Sequence, residues 1–197
     1  MSLFQQQREQ VGQLILDTSI ELFRKNGYEK TTVDEITKVV GIAKGTFYNF
    51  FDSKRDVLMK WAVQVFQKLD FQQAYHNQNT FRQNIGVMIG LTVTYIQEEE
   101  ALFVSFLKEL ATKQGVAENE EQFDFAGIMD LIADHSSDHD NITGKDKTMK
   151  INVLNDSLFM GIIRWFNSGK TADSLYHYLL DIIDICCYGI LCAKEEQ

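Results

Sequence analysis

The chain has 197 residues, 45% of them apolar and none of them proline, and a formal net charge of −9 at pH 7. That apolar share excludes a disordered chain, and the missing proline argues against polyproline segments and for long uninterrupted helices, so the predicted class is all-α. The charge is unevenly placed: residues 1–60 hold 9 basic and 8 acidic side chains, residues 61–197 hold 10 and 20. A polyanion surface is therefore expected in the first third, where a Debye length of about 8 Å isolates local charge from distant acidity.

From Glu9 to Lys25 the residues Val11, Leu14, Ile15, Thr18 and Leu22 follow helical spacing, and Gly27 suits the position after the helix end. Thr32 to Glu35 forms a capping-box pattern, with the Thr32 hydroxyl aimed at the N3 amide and Glu35 reaching back, and a short helix follows to Val40. After the Gly41-Ile42-Ala43 turn a second short helix is expected over Lys44–Phe51, with Phe47 and Phe51 on one face. Two short helices around a glycine turn make a helix-turn-helix. Ser53 to Asp56 repeats the capping pattern and opens a longer helix through Val57, Trp61, Val65 and Phe66 toward Leu69. Further helices are expected from Thr80 to about Glu98, over Ala101–Lys113, Gln122–Asp134, Met149–Asn167 and Ala172–Ala193, while Ser136–Lys147 reads as an exposed loop.

A helix that enters the roughly 12 Å wide major groove needs a polar crest and an apolar underside. Lys44–Phe51 supplies both: Phe47 and Phe51 would pack against Ile36, Val40 and Ile42, leaving Lys44, Gly45, Thr46, Tyr48, Asn49 and Phe50 toward the groove. Lys44 and Thr46 can reach base edges, Gly45 permits close approach, and Tyr48 can donate to a phosphate. The helix starts at Thr32 and Ser53, with Lys54 beside the second, suit phosphates. The same eight residues could also be an ordinary amphipathic helix with a solvated lysine.

Residues 31–54, TTVDEITKVVGIAKGTFYNFFDSK, resemble the amino-terminal signature of the TetR family of bacterial transcriptional repressors, and the ordered resemblance extends over about residues 8–60. It implies a three-helix DNA-binding helix-turn-helix domain over 1–53 and a helical effector-binding and dimerisation domain over 54–197, about nine helices together. It implies a cytoplasmic homodimer on palindromic double-stranded operator DNA, usually repressing, and released by a small-molecule effector. Two positions depart from the family: Ala43 stands where Ser or Thr is usual, and Phe50 where His or Tyr is frequent. Each departure removes a polar contact from the DNA face.

In the last two helices, apolar residues occupy two faces. Leu154, Leu158, Gly161, Trp165, Leu175, Ile182, Ile185 and Gly189 are the expected dimer contacts, in a four-helix interface about a two-fold axis; a monomeric core using both faces is the alternative. Phe66, Met88, Tyr95, Phe103, Phe106, Phe125, Met129, Phe159 and Trp165 could line an apolar effector pocket, although each could equally be plain core.

Other classes fare less well. His135 and His139, four apart among carboxylates, could seat a divalent ion on a helix, but the tract reads as loop and no metal ligand is assigned. Cys186, Cys187 and Cys192 share an apolar terminal helix, a poor setting for a redox-sensing thiolate and one suited to a reducing compartment. No nucleophile elbow, phosphate-binding glycine loop or HExxH motif occurs, so neither an enzyme nor a cofactor is expected. No membrane span is expected, because Asp181 and Asp184 interrupt the most apolar tract. The remaining alternative keeps the fold without specific operator binding, as a helical protein-interaction regulator or a metal or redox sensor.

Overall fold

The computed structural model describes residues 3–69, 76–110, 125–138 and 146–187, and among them it contains α-helices, one short 3-10 helix and no strand. The helices are α1 Leu3–Asn26, α2 Val33–Val40, α3 Lys44–Tyr48, α4 Lys54–Lys68, α5 Phe81–Glu98, α6 Glu100–Leu110, α7 Phe125–Asp134, α8 Lys147–Asn167 and α9 Leu175–Cys186. They divide into two units, Met1–Lys68 with Ala101–Asn119, and Leu69–Glu100 with Glu120–Gln197. The boundary expected at 53/54 falls inside the first unit, because the apolar face of α4 (Val57, Leu58, Trp61, Ala62) is buried and α4 packs on α1.

In the first unit, local signals set the helix ends. Gly27 and Gly41 adopt left-handed backbone (φ 87° and 81°), which lets the Gly41 N–H return to Thr37 O at 2.9 Å and close α2. Ile15, Leu16, Ile20 and Phe23 of α1 are buried, as are Ile36, Phe47, Val57 and Leu58, and α1 packs on α2 and α4. Each such large side chain contributes on the order of 1.5–3 kcal/mol of burial. The α6 segment joins this unit through buried Leu102, Phe103, Phe106 and Leu107 and through a polar cluster. There Tyr28 Oη donates to Glu109 Oε1 at 2.7 Å, and Arg55 Nε lies 3.6 Å from Glu109 Oε2. Burial first, and then the hydrogen bond to Glu109, pushes the Tyr28 phenol well above its ordinary range.

The second unit is built on α5, α7, α8 and α9, with α9 packed on both α8 and α5. Thr80 and Gln83 form a reciprocal capping box at the start of α5. Fully buried Asn84 accepts from His76 N–H (3.0 Å) and donates to His76 O (3.2 Å) and Ser136 Oγ (3.0 Å), tying this helix start to the exit of α7. At Gly161 of α8 a Cβ would collide with Ile182 Cδ1, so the terminal methyl of Ile182 occupies the space left by the missing side chain. Arg82 forks onto both carboxylate oxygens of Asp184, with Nη2 to Oδ2 at 2.7 Å, and its hydrogen bonds hold the Asp184 carboxyl below its ordinary range. No helix among the described residues is long and apolar enough to cross a membrane.

Candidate nucleic-acid interface

The helix-turn-helix is assembled from its caps. Thr32 Oγ1 accepts from the Glu35 N–H at 3.2 Å and starts α2. Glu35 does not complete the expected reciprocal bond; its carboxylate accepts instead from Asn26 Nδ2 at 2.8 Å, which fastens α2 to the end of α1. Ala43 starts α3 without a side-chain cap. Phe47, fully buried, anchors the underside of α3 and lies 5.9 Å from the ring of Phe51.

Around that anchor Lys44, Gly45, Tyr48 and Asn49 are exposed and Thr46 is half-buried. At Gly45 the place a Cβ would take is open space, so backbone can approach a partner closely there. Lys44 Nζ makes an ion pair with Asp34 Oδ1 at 2.7 Å, with 54% and 72% of the two side chains exposed. The hydrogen bond to Asp34 raises the Lys44 ammonium above its ordinary range, so this group stays charged.

Two expected DNA contacts sit differently. The recognition helix ends at Tyr48, short of the predicted Phe51, and the chain then turns. That turn carries Phe50 away from the outward face to α1, where a Cβ at Gly12 would stand 3.2 Å from Phe50 Cδ1 and the Arg8 guanidinium lies 5.8 Å from the ring centroid. Lys54 is likewise turned inward. Its Nζ donates to the carbonyls of Tyr28 (2.8 Å), Glu29 (3.3 Å) and Thr31 (3.4 Å) and sits 4.3 Å from the centre of the Tyr28 ring. It ties the α1–α2 connection to α4. Ser53 Oγ accepts from the Asp56 N–H at 3.2 Å and thus caps α4.

Sequence reasoning treated Asp34 only as part of a cap and did not single out Arg8. Acidic character in the first turn of α2 was visible, but its pairing with Lys44 depends on how α2 and α3 pack.

The expected pocket residues are divided between the units. Phe66, Phe103 and Phe106 belong to the first, where Phe106 lies 5.8 Å from Phe103 and 6.5 Å from Phe66, ring to ring. Met88, Tyr95, Met129, Phe159 and Trp165 belong to the second; Met88, Met129 and Trp165 are buried, Tyr95 and Phe159 half-buried. Trp165 is held locally, its indole N–H donating to Thr171 O at 2.7 Å and its ring 4.8 Å from that of Tyr178. The side chain of Phe125 lies outside the described residues.

The expected dimer contacts differ in exposure within the single chain. Leu154, Leu158, Gly161, Trp165 and Leu175 are buried within the chain, because α8 and α9 turn these faces to each other and to the unit's own core. Ile182 is half-buried, Ile185 is 73% exposed, and Gly189 lies outside the described residues, as does His139 of the histidine tract. His135 Nδ1 is 2.9 Å from Leu131 O, and among the described residues no three potential ligands gather into a metal site.

A short helix with an outward polar crest, carried on buried aromatics behind a capped scaffold helix, is the arrangement of a helix-turn-helix. Residues 15–59 match the model of the bacterial regulatory proteins, tetR family. The match lies within the helix-turn-helix and the helices that flank it. The chain is similar to the biofilm operon icaADBC negative transcriptional regulator IcaR of Staphylococcus aureus (strain Newman), 30% identical over 97 residues, 49% of this chain and 52% of the relative. The IcaR of Staphylococcus epidermidis is 36% identical over 66 residues, 33% of this chain and 36% of the relative. The chain thus spans about half the length, or less, of these curated relatives. Among solved structures, Thermus thermophilus FadR in complex with lauroyl-CoA has a TM-score of 0.77 at 19% identity, covering 94% of this chain and 98% of that one. Bacillus subtilis FadR in complex with stearoyl-CoA has a TM-score of 0.60 at 20% identity, covering 90% and 98%. At these identities the likeness establishes the shared helical fold.

Proposed function

We propose that the chain is a cytoplasmic transcriptional repressor that binds, as a homodimer, an operator of two symmetry-related half-sites and is released by a small-molecule effector. The observation that carries this reading is the outward set Lys44, Gly45, Tyr48 and Asn49 over fully buried Phe47. Such a crest fits a major groove, and two copies would present theirs one DNA turn apart, about 34–36 Å. Tyr48 and Asn49 are polar groups for backbone oxygens, while Lys44 and Thr46 are the candidates for base edges. Thr32 and Ser53 cap α2 and α4, and the N-termini of those helices are the candidates to face phosphates.

For the dimer, support comes from the apolar residues the chain leaves uncovered: Met149, Val153 and Met160 along α8 and Ile185 on α9. They replace the inward residues as the contacts to vary. For the effector, the apolar interiors of the units and the acyl-CoA complexes of the fold neighbours make a long-chain acyl-CoA the first compound class to try.

The test is a mobility-shift titration against the DNA upstream of the chain's own gene at several salt concentrations. Specific binding should weaken with salt, at a log–log slope of about −0.9 per phosphate neutralised. Lys44→Ala or Thr46→Ala should relax preference at one base position per half-site. Binding that ignores sequence in the parent would remove the operator reading, and a complex that lauroyl-CoA and stearoyl-CoA leave intact would remove the acyl-CoA reading.

A further inference from the structure

On α1, Gly12 leaves room for the Phe50 ring: a Cβ there would stand 3.2 Å from Phe50 Cδ1. One helical turn earlier, on the same face of α1, Arg8 is exposed and its guanidinium carbon lies 5.8 Å from the centre of that ring. The half-buried ring follows directly on Tyr48, the last residue of α3, and on exposed Asn49. Thus α1 sets a cation beside the end of the recognition helix, to the side of its outward crest. A guanidinium stacked on a ring engages through its flat face and keeps the N–H groups of its edge for oxygen acceptors. The stack also holds a long side chain in place before any partner arrives.

We propose that Arg8 is a phosphate-binding residue of the DNA interface, contributed by α1 from outside the helix-turn-helix and positioned by the Phe50 ring. This role rests on the DNA-binding reading above. With five residues, α3 is about 7 Å long and would lie in a major groove about 12 Å wide, whose walls are sugar-phosphate backbone. Lys44 and Thr46 near its start are the candidates for base edges; Tyr48 and Asn49 at its end are the polar groups for backbone oxygens, and Arg8 stands beside that end. The planar fork of arginine matches the oxygens of a phosphate. Phe50 has no polar atom to offer one, so here the ring is the seat and the arginine the contact. Phosphates carry no sequence, so Arg8 should raise affinity for every duplex alike.

The full chain is titrated by fluorescence anisotropy against a pool of random-sequence duplexes and against an operator fragment enriched from such a pool by the parent protein, each at several salt concentrations. Arg8→Gln should weaken binding to both by a similar factor, roughly two- to fivefold per subunit, the equivalent of one exposed ion pair. It should also flatten the salt slope on both by about 0.9 per subunit, as one phosphate fewer is neutralised. Arg8→Lys keeps the charge and should restore the slope, with part of the affinity lost because an ammonium lacks the fork. Phe50→Leu, which keeps an apolar group against Gly12, should weaken binding in the parent and add nothing in the Arg8→Gln background; thermal melting checks that the variants fold. An Arg8→Gln chain with the parent's salt slope on both duplexes would overturn the proposal while leaving the DNA-binding reading in place. A loss confined to the operator would also overturn it, since Arg8 would then read bases. Additive losses from Phe50→Leu and Arg8→Gln would overturn the seating by Phe50. A parent chain that binds neither duplex overturns the DNA-binding reading together with the proposal.

Discussion

Replacing Lys54 by Met keeps the aliphatic stem and removes the ammonium that holds three carbonyls of the α1–α2 connection. The 2.8 Å bond to Tyr28 O is the strong one; the other two are long. A hydrogen bond to a charged group is worth about 1.5–3 kcal/mol, and a cation over an aromatic ring about 0.5–1 kcal/mol near the surface. Water can re-solvate carbonyls that lie near the surface, so the lower end applies, and the loss comes to about 2 kcal/mol. For a chain of this length that is a fall in melting temperature of about 4–8 °C. The salt slope of DNA binding should stay that of the parent, because this ammonium is already committed inside the protein. Thermal melting and anisotropy on the same preparation measure both quantities. An unchanged melting temperature together with a slope flatter by about 0.9 per subunit would show that Lys54 neutralises a phosphate, and would refute the reasoning.

Three more expectations follow from the geometry. Tyr28 titrates at 10.0 when unperturbed and higher in the fold, so its contribution to stability is complete below pH 10.0 and is lost as the pH climbs above it; Tyr28→Phe should flatten the alkaline arm of a stability-against-pH curve measured by urea unfolding. Gly161→Leu should cost about 1–3 kcal/mol by forcing α8 and α9 apart, whereas Gly161→Ala should be far milder, since the overlapping atom is the terminal methyl of Ile182 and a glycine in a helix interior already costs about 1 kcal/mol. Adding Ile182→Ala to Gly161→Leu should restore part of the loss in chemical denaturation. Ile185→Glu combined with Met160→Glu should shift the chain toward monomer in analytical ultracentrifugation without lowering its melting temperature as a monomer; a dimer that survives places the interface elsewhere.

Helix ends were legible because they are written within a few residues: Thr32, Gly27, Gly41 and Ser53 act on their own neighbours. The anchor Phe47 was legible for the same reason, since one turn of helix decides which side it faces. Phe50 lies elsewhere than expected because the wheel was drawn three residues too far, and a turn beyond Tyr48 swings the ring to α1. The bonds of Lys54 were not legible because its carbonyl partners lie more than twenty residues earlier in the chain. For α8 and α9, spacing showed that more than one face is apolar but held no information on which face the chain itself would fill. Leu154, Leu158 and Leu175 are used internally, and Ile185 is left outside.

Asn84 gives the second unit something its oily residues alone do not. Leucines and isoleucines tolerate a helix sliding one turn past its neighbour, since one greasy contact is replaced by another. A carboxamide sealed from water, with both ends of the amide engaged, would be stranded by such a slip at a cost of about 1–3 kcal/mol. This one side chain therefore acts as a registration pin, and the bundle can exchange aliphatic residues around it while keeping a single alignment.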